Sequence, residues 1–200
     1  MAIYIIILTV LVSIACFYND ELFNKLLFIP YLIKHNNEWW RFITHGFVHA
    51  DSPHLIFNML ALYFFGPLVE GYFQAHFGAS IGTLYFVLLY VSGIVVAALP
   101  SYKKELNNSY YSSVGASGAT SAVLFSSIVF NPMSQICLYG LLCFPGVVWG
   151  LVYLGYSYYM TKQQTDYINH DAHFAGALFG ILFTIASKPI LAVLCIQQFF

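Results

Sequence analysis

The sequence predicts an all-α, polytopic membrane protein, a bundle of six transmembrane helices forming a single domain over residues 1–200. Three observations carry this. Only 8% of the residues are charged and 60% are hydrophobic, against about 25% charged in a soluble domain. The charges leave long runs bare, at 1–19, 52–69, 71–102 and 106–161. The ~10-residue alternating pattern of a membrane β-barrel is absent. A bilayer core needs about 20 apolar residues per helix, and the lack of water there forces backbone groups to pair within the helix. The net charge of −1 gives no sign of nucleic-acid binding, and the partner implied by composition is the lipid bilayer.

The first span is expected over Ala2–Phe17. It has no positive leading segment and no small-x-small cleavage site, so it reads as a retained helix. A connection over 18–52 mixes Lys25, Lys34, Arg41 and several acids with Leu26, Leu27 and Phe28, the composition of a structured loop in the interface. Trp39 and Trp40 suit the headgroup belt. The second span starts near Pro53 with Ser52 as its cap and ends near Glu70. The third fills about 77–99, and a polar loop over 100–112 holds Lys103, Lys104 and Glu105. The fourth runs over about 115–130 and stops at Asn131-Pro132. The fifth covers about 136–159, broken at Pro145-Gly146. The sixth begins near Asp171 and reaches Ser187, with the apolar tail to Phe200 as a possible extension. Cys16, Cys137, Cys143 and Cys195 lie in apolar runs without a C-x-x-C pair, and read as small hydrophobes rather than a disulfide framework.

Three chemically capable groups open the even-numbered spans. These are His54-x-x-x-Asn58, Gly115-Ala116-Ser117-Gly118 and Ala172-His173-x-x-Gly176-x-x-x-Gly180. Helices that enter from one side place these groups at one end of the bundle. Counting 1.5 Å per residue from the opposite ends puts Ser117, His173 and Asn58 about 10 Å inside a core about 30 Å thick. Polar groups at that depth are costly and mark function. The residue types suit acyl transfer. A serine hydroxyl needs a base to take its proton, and His173 is the histidine at matching depth on another span. The oxyanion of a tetrahedral intermediate needs donors, which His54 and Asn58 supply from one helix face, four residues apart. Asp171 is two residues from His173 and points elsewhere, and Asp166 lies in the preceding loop, so a Ser–His dyad is expected. Gly118 leaves room beside the serine, and Gly176 with Gly180 permits close helix approach.

These residues, with Trp40-Arg41 and His49 in the first connection, resemble the rhomboid intramembrane serine proteases in their compact six-helix bacterial form. The resemblance spans essentially the whole chain. It implies cleavage of transmembrane segments of other membrane proteins by a dyad of Ser117 and His173, with His54 and Asn58 stabilising the oxyanion and no metal or cofactor. It implies that Trp40 and Arg41 shape the first loop, that Glu70 is a structural polar residue, and that the fifth span, broken at Pro145-Gly146, is a mobile gate. It also implies a multi-pass protein of the bacterial inner membrane. Many family members carry an aromatic four residues after the nucleophile; here Ser121 stands there. The resemblance places the first, third and fifth connections outside, whereas their Lys25, Lys34, Arg41, Lys103, Lys104 and Lys162 would place them in the cytoplasm.

Two other classes compete. An inactive or catalytically weak rhomboid-like protein would bind transmembrane helices without cutting them, although such relatives typically lose the serine or the histidine. A membrane metalloenzyme would use His45, His49 and His54, whose H-x-x-x-H spacing suits a metal. The H-E-x-x-H of a zinc protease is missing, and His45 and His49 read as structural.

Overall fold

The computed structural model describes residues 1–138, 140–163 and 168–199. Its first helix, α1, spans Ala2–Phe17 as the sequence predicts. The connection that follows is built from three short helices, α2 (Asp20–Leu26), α3 (Pro30–Asn36) and α4 (Arg41–Thr44), then a 3₁₀ turn over His45–Phe47. Arg41 clasps it from within. It is 5% exposed, donates Nη1 hydrogen bonds to the Asn24 and Leu27 carbonyls at 2.9 and 2.7 Å, and pairs with Glu38. Trp39 and Trp40 remain exposed.

α5 covers Ser52–Phe77 and α6 covers Ala79–Glu105. The N-cap of α5 is Asp51, whose carboxylate accepts the His54 backbone N–H at 2.7 Å; Ser52, the expected cap, is the first helical residue. α5 also passes Glu70, its expected end. Glu70 is 8% exposed, accepts the Ala2 N–H and the Thr83 hydroxyl, and so serves as an internal tie between α1, α5 and α6. Gly78, at φ 82°, turns the chain tightly into α6, which runs on through Pro100 and Lys104. By length and composition α5 and α6 can each cross a membrane. Their outward residues, among them Ile56, Phe57, Phe64, Leu68, Ile81 and Leu84, are exposed, a surface suited to lipid rather than water.

α7 (Ser117–Phe130) and α9 (His170–Ser187) form the centre. Nearly every residue of α7 is buried. A Cβ built at Gly176 would lie 2.1 Å from the Gly118 carbonyl oxygen, and one at Gly180 would lie 2.2 Å from that of Ala122. The two backbones therefore touch along one register, as the G-x-x-x-G step anticipates. α6 closes on the same helix, with Gly93 against Ala119 and Ala97 against Gly118.

The expected fifth span is corrected. Residues 135–145 form a β-hairpin, β1 (Gln135–Leu138) and β2 (Leu142–Pro145), with Cys137 opposite Cys143. These cysteines form a disulfide rather than serving as separate small hydrophobes. An apolar run does not distinguish strand from helix; here the turn at Gly140 (φ 68°) and the paired cysteines decide. The helix α8 starts only at Gly146 and ends at Gln163, with Trp149 Nε1 donating to the Ile136 carbonyl at 2.9 Å. After α9 the chain bends by 111° into α10 (Ile190–Gln197), so the tail does not extend α9 straight. Asp166 and Phe200 lie outside the described residues.

Candidate active site

Ser117 is the first residue of α7. Its approach is over-determined by the first connection and by α5. Gly115 has φ 117°, which a side chain rarely adopts, and a Cβ there would lie 2.6 Å from His54 Cε1. The Gly115 N–H donates to the His45 carbonyl at 3.0 Å. The Ala116 N–H points at His49 Nε2, 3.4 Å away, while His49 Nδ1 lies 3.0 Å from Ser13 Oγ. The Ser13 hydroxyl proton goes to the Phe47 carbonyl. Its oxygen therefore accepts Nδ1–H, leaving Nε2 as acceptor. That fixes a neutral imidazole, and burial, with His54 adding to it and Asp51 opposing, holds the His49 pKa down at about 3. Burial likewise lowers that of His45 to about 4, opposed by its bond to the Arg41 carbonyl. With both ring nitrogens of His49 and Nδ1 of His45 hydrogen-bonded, these histidines act as braces for the loop before Ser117.

His54 and Asn58 face α7 one turn apart, as their spacing predicts. His54 packs its ring on Gly115 and meets His49 edge-on at 4.9 Å between centroids. Asn58 donates to the His54 carbonyl at 3.0 Å. Its Oδ1 lies 3.0 Å from the Thr120 hydroxyl, which is also 3.1 Å from the Ser117 carbonyl. Sequence reasoning passed over Thr120, a small polar residue in a buried stretch.

On the other side stands the start of α9. Asn169 caps it, accepting the Ala172 N–H at 3.1 Å and donating to Ser101 Oγ and Tyr111 Oη at 2.9 and 3.1 Å. Asn169 thereby ties α9 to α6 and the loop before α7; its place just ahead of an Asp-x-His run was the available signal for a cap. Asp171 sits 3.6 Å from Lys104 Nζ. The Ala172 carbonyl oxygen lies 3.5 Å from where a Gly118 Cβ would be, and Gly176 lies against Gly118. Ser117 and His173 thus flank one close contact, at one level. A cavity of about 20 Å³ borders Ser117 and is walled by Gly115, His45, Ala97, Asn169 and Ala172, room for about one water molecule. Beyond Asn169 a polar cavity of about 410 Å³ is lined by Lys104, Tyr111, His170 and Asp171 among others.

His173 itself is stacked by Tyr153 of α8, with centroids 6.1 Å apart and planes at 21°. The Tyr153 hydroxyl is 2.5 Å from Ser121 Oγ. The aromatic that Ser121 cannot supply comes from another helix.

The rhomboid domain family profile matches residues 36–189, from the first connection to the end of α9. YdcA of Bacillus subtilis (strain 168) is 29% identical over 163 residues, covering 82% of this chain and 70% of that protein. Rhomboid protease AarA of Providencia stuartii is 26% identical, covering 92% and 73%. Rhomboid-like protein 11, chloroplastic, of Arabidopsis thaliana is 29% identical over 86% of this chain, which spans 61% of that relative's length. A profile match running through the clasp at Arg41, the braced loop before Ser117 and the α7–α9 contact means that the chain belongs to the rhomboid family of integral membrane proteins.

Proposed function

We propose that this protein is an intramembrane serine endopeptidase that cuts transmembrane segments of other membrane proteins, with Ser117 as nucleophile and His173 as general base. The observation that carries the reading is the backbone contact of Gly118 with Gly176 and Ala172. It sets Ser117 and His173 on either side of one close approach, on two helices whose register is locked.

The mechanism follows from the groups present. His173 takes the Ser117 hydroxyl proton as oxygen attacks the scissile carbonyl. Oxyanion charge develops on the α5 side, where the His54 ring and the second amide proton of Asn58 can donate. His173 returns the proton to the leaving amine. The acyl-enzyme is then hydrolysed by a water activated by the same base, and the water-sized cavity beside Ser117 supports delivery from the α6 side. The ion pair of Asp171 with Lys104 supports a dyad over a triad.

The six spans of this reading are α1, α5, α6, α7, α8 and α9. α7 has 14 residues, about 21 Å at 1.5 Å per residue, short of a hydrocarbon core of about 30 Å. Its shortness supports placing Ser117 roughly 10 Å inside the bilayer. The reach of bacterial YdcA and AarA along the chain supports a bacterial cell membrane.

The test is cleavage of a single-span reporter carrying helix-breaking Gly and Pro residues, by the purified protein in detergent and in liposomes. Wild type cleaves, and Ser117→Ala and His173→Ala each lose at least about 10³-fold. Cleavage surviving in either variant refutes the dyad. Absence of both cleavage and fluorophosphonate labelling at Ser117 in wild type would instead favour a non-cutting helix-binding protein.

A further inference from the structure

We infer that Tyr153 of α8 is a positioning residue for His173, tethered by Ser121 of α7, so that the base is aligned only while α8 is seated against α7. This rests on the Ser–His reading above and assigns part of its alignment to a third helix.

Tyr153 touches both halves of the proposed dyad's support. Its ring lies nearly parallel to that of His173, with centroids 6.1 Å apart and planes at 21°, within the range of offset stacking. Its hydroxyl reaches Ser121 Oγ at 2.5 Å, and its ring also meets Phe125 at 5.6 Å. Ser121 lies four residues after Ser117, one turn along the same face of α7. One side chain of α8 is therefore anchored on the nucleophile's helix and bears on the base's helix. The arrangement continues one turn on. Tyr156 meets His170 edge-on at 5.5 Å, and His170 meets His173 at 5.9 Å. Two tyrosines spaced i, i+3 on α8 interleave with two histidines spaced i, i+3 on α9.

An imidazole has two free torsions, and a general base must hold its nitrogen within hydrogen-bond reach of the proton it takes. Tyr153 flanks the imidazole on one side and His170 on another. Tyr153 is itself carried by a helix with few buried residues, Gly146, Gly150 and Ser157. Moving α8 outward breaks the Ser121 bond and withdraws the ring together. Seating of α8 and competence of the base are then one event.

The experiment uses the full chain in liposomes and compares wild type with Tyr153→Leu, Tyr153→Phe, Ser121→Ala and the double variant Ser121→Ala/Tyr153→Phe. The readouts are kcat and KM on the Gly/Pro-containing reporter and the rate of fluorophosphonate labelling at Ser117. Tyr153→Leu lowers kcat and the labelling rate about 10- to 100-fold, the scale of a misplaced catalytic group, and leaves KM within twofold. Tyr153→Phe and Ser121→Ala keep the ring and the packing. Each lowers kcat roughly three- to tenfold, the scale of one lost hydrogen bond, and the double variant falls no further than either single. Thermal unfolding separates a folding defect; if Tyr153→Leu is unstable, the two ring-retaining variants decide. Tyr153→Leu at wild-type kcat, or effects of Ser121→Ala and Tyr153→Phe that multiply, overturn the inference and leave the dyad standing. A wild type that neither cleaves nor labels removes the dyad and this inference with it.

Discussion

α7 and α8 are neighbours of opposite construction. α7 is rich in small residues, is buried along almost its whole length, and touches α9 backbone to backbone. α8 is rich in tyrosine, exposes Val148, Leu151, Val152, Tyr156, Tyr158 and Tyr159, and meets the bundle through side chains such as Tyr153 and through Gly150 against Phe125 and Ile128. Contact between backbones has one register, because the glycine gap admits nothing else. Contact between side chains can be remade in several ways. The proposed nucleophile and base sit on the first kind of interface, and the ring that stacks on the base comes across the second.

The comparison can be broken most severely at Gly176. Gly176→Leu forces a side chain into the Gly118 carbonyl, 2.1 Å from the new Cβ. We expect loss of at least about 3 kcal/mol, seen as failure to recover a monodisperse protein or a large fall in Tm. The same change at Gly155 of α8, where a Cβ meets nothing within 4 Å, stays within about 0.5 kcal/mol. Equal effects at the two sites would show that the helices are held alike.

Next in size is Arg41→Ala, which leaves the Asn24 and Leu27 carbonyls without their shared donor. Chemical denaturation is expected to report a loss of about 2–3 kcal/mol, and proteolysis to nick the first connection first.

A separate effect comes from pH. The His45 and His49 pKa values are lowered in the fold from 6.5 to about 4 and about 3. Their stabilisation is complete above 6.5 and is lost as pH falls toward 4, because the folded protein binds fewer protons than the unfolded one. Tm should decline over that window. A Tm that is flat from pH 7 to 4 would contradict the neutral-histidine braces.

The last test should leave stability unchanged and reads geometry. The Ser117 end of α7 and the Cys137–Cys143 hairpin lie at opposite ends of that helix. A cysteine placed at Lys103 should be labelled from one membrane face, and the disulfide opened by an impermeant reductant from the other. Access to both from one face would remove α7 as a span.

Much of this was legible in order along the chain. α1 is found at its expected bounds, since an uninterrupted apolar run leaves little choice. His54 and Asn58 face α7 because four residues make one turn. Errors arose where one residue type has two uses. Glu70 is expected both as the end of the second span and, from the resemblance, as a structural polar residue; it is an internal tie within α5, which runs on to Phe77. Residues 136–145 read as the first part of the fifth span, about 136–159, because hydrophobicity carries no period when both faces are apolar, and the pairing of Cys137 with Cys143 is not visible in spacing. Thr120 and Tyr153 carry no local mark of their roles.

The sequence by itself determined the lipid environment, the helical class, and which polar residues stand at helix starts. These are properties of local composition and of a 3.6-residue turn. Only the tertiary structure decided that Gly176 and Gly180 face Gly118 and Ala122, that His49 braces Ala116, and that Tyr153 supplies the ring over His173. Each of these joins positions distant in the chain, and helix register across such distances is set by how side chains fill space between whole helices.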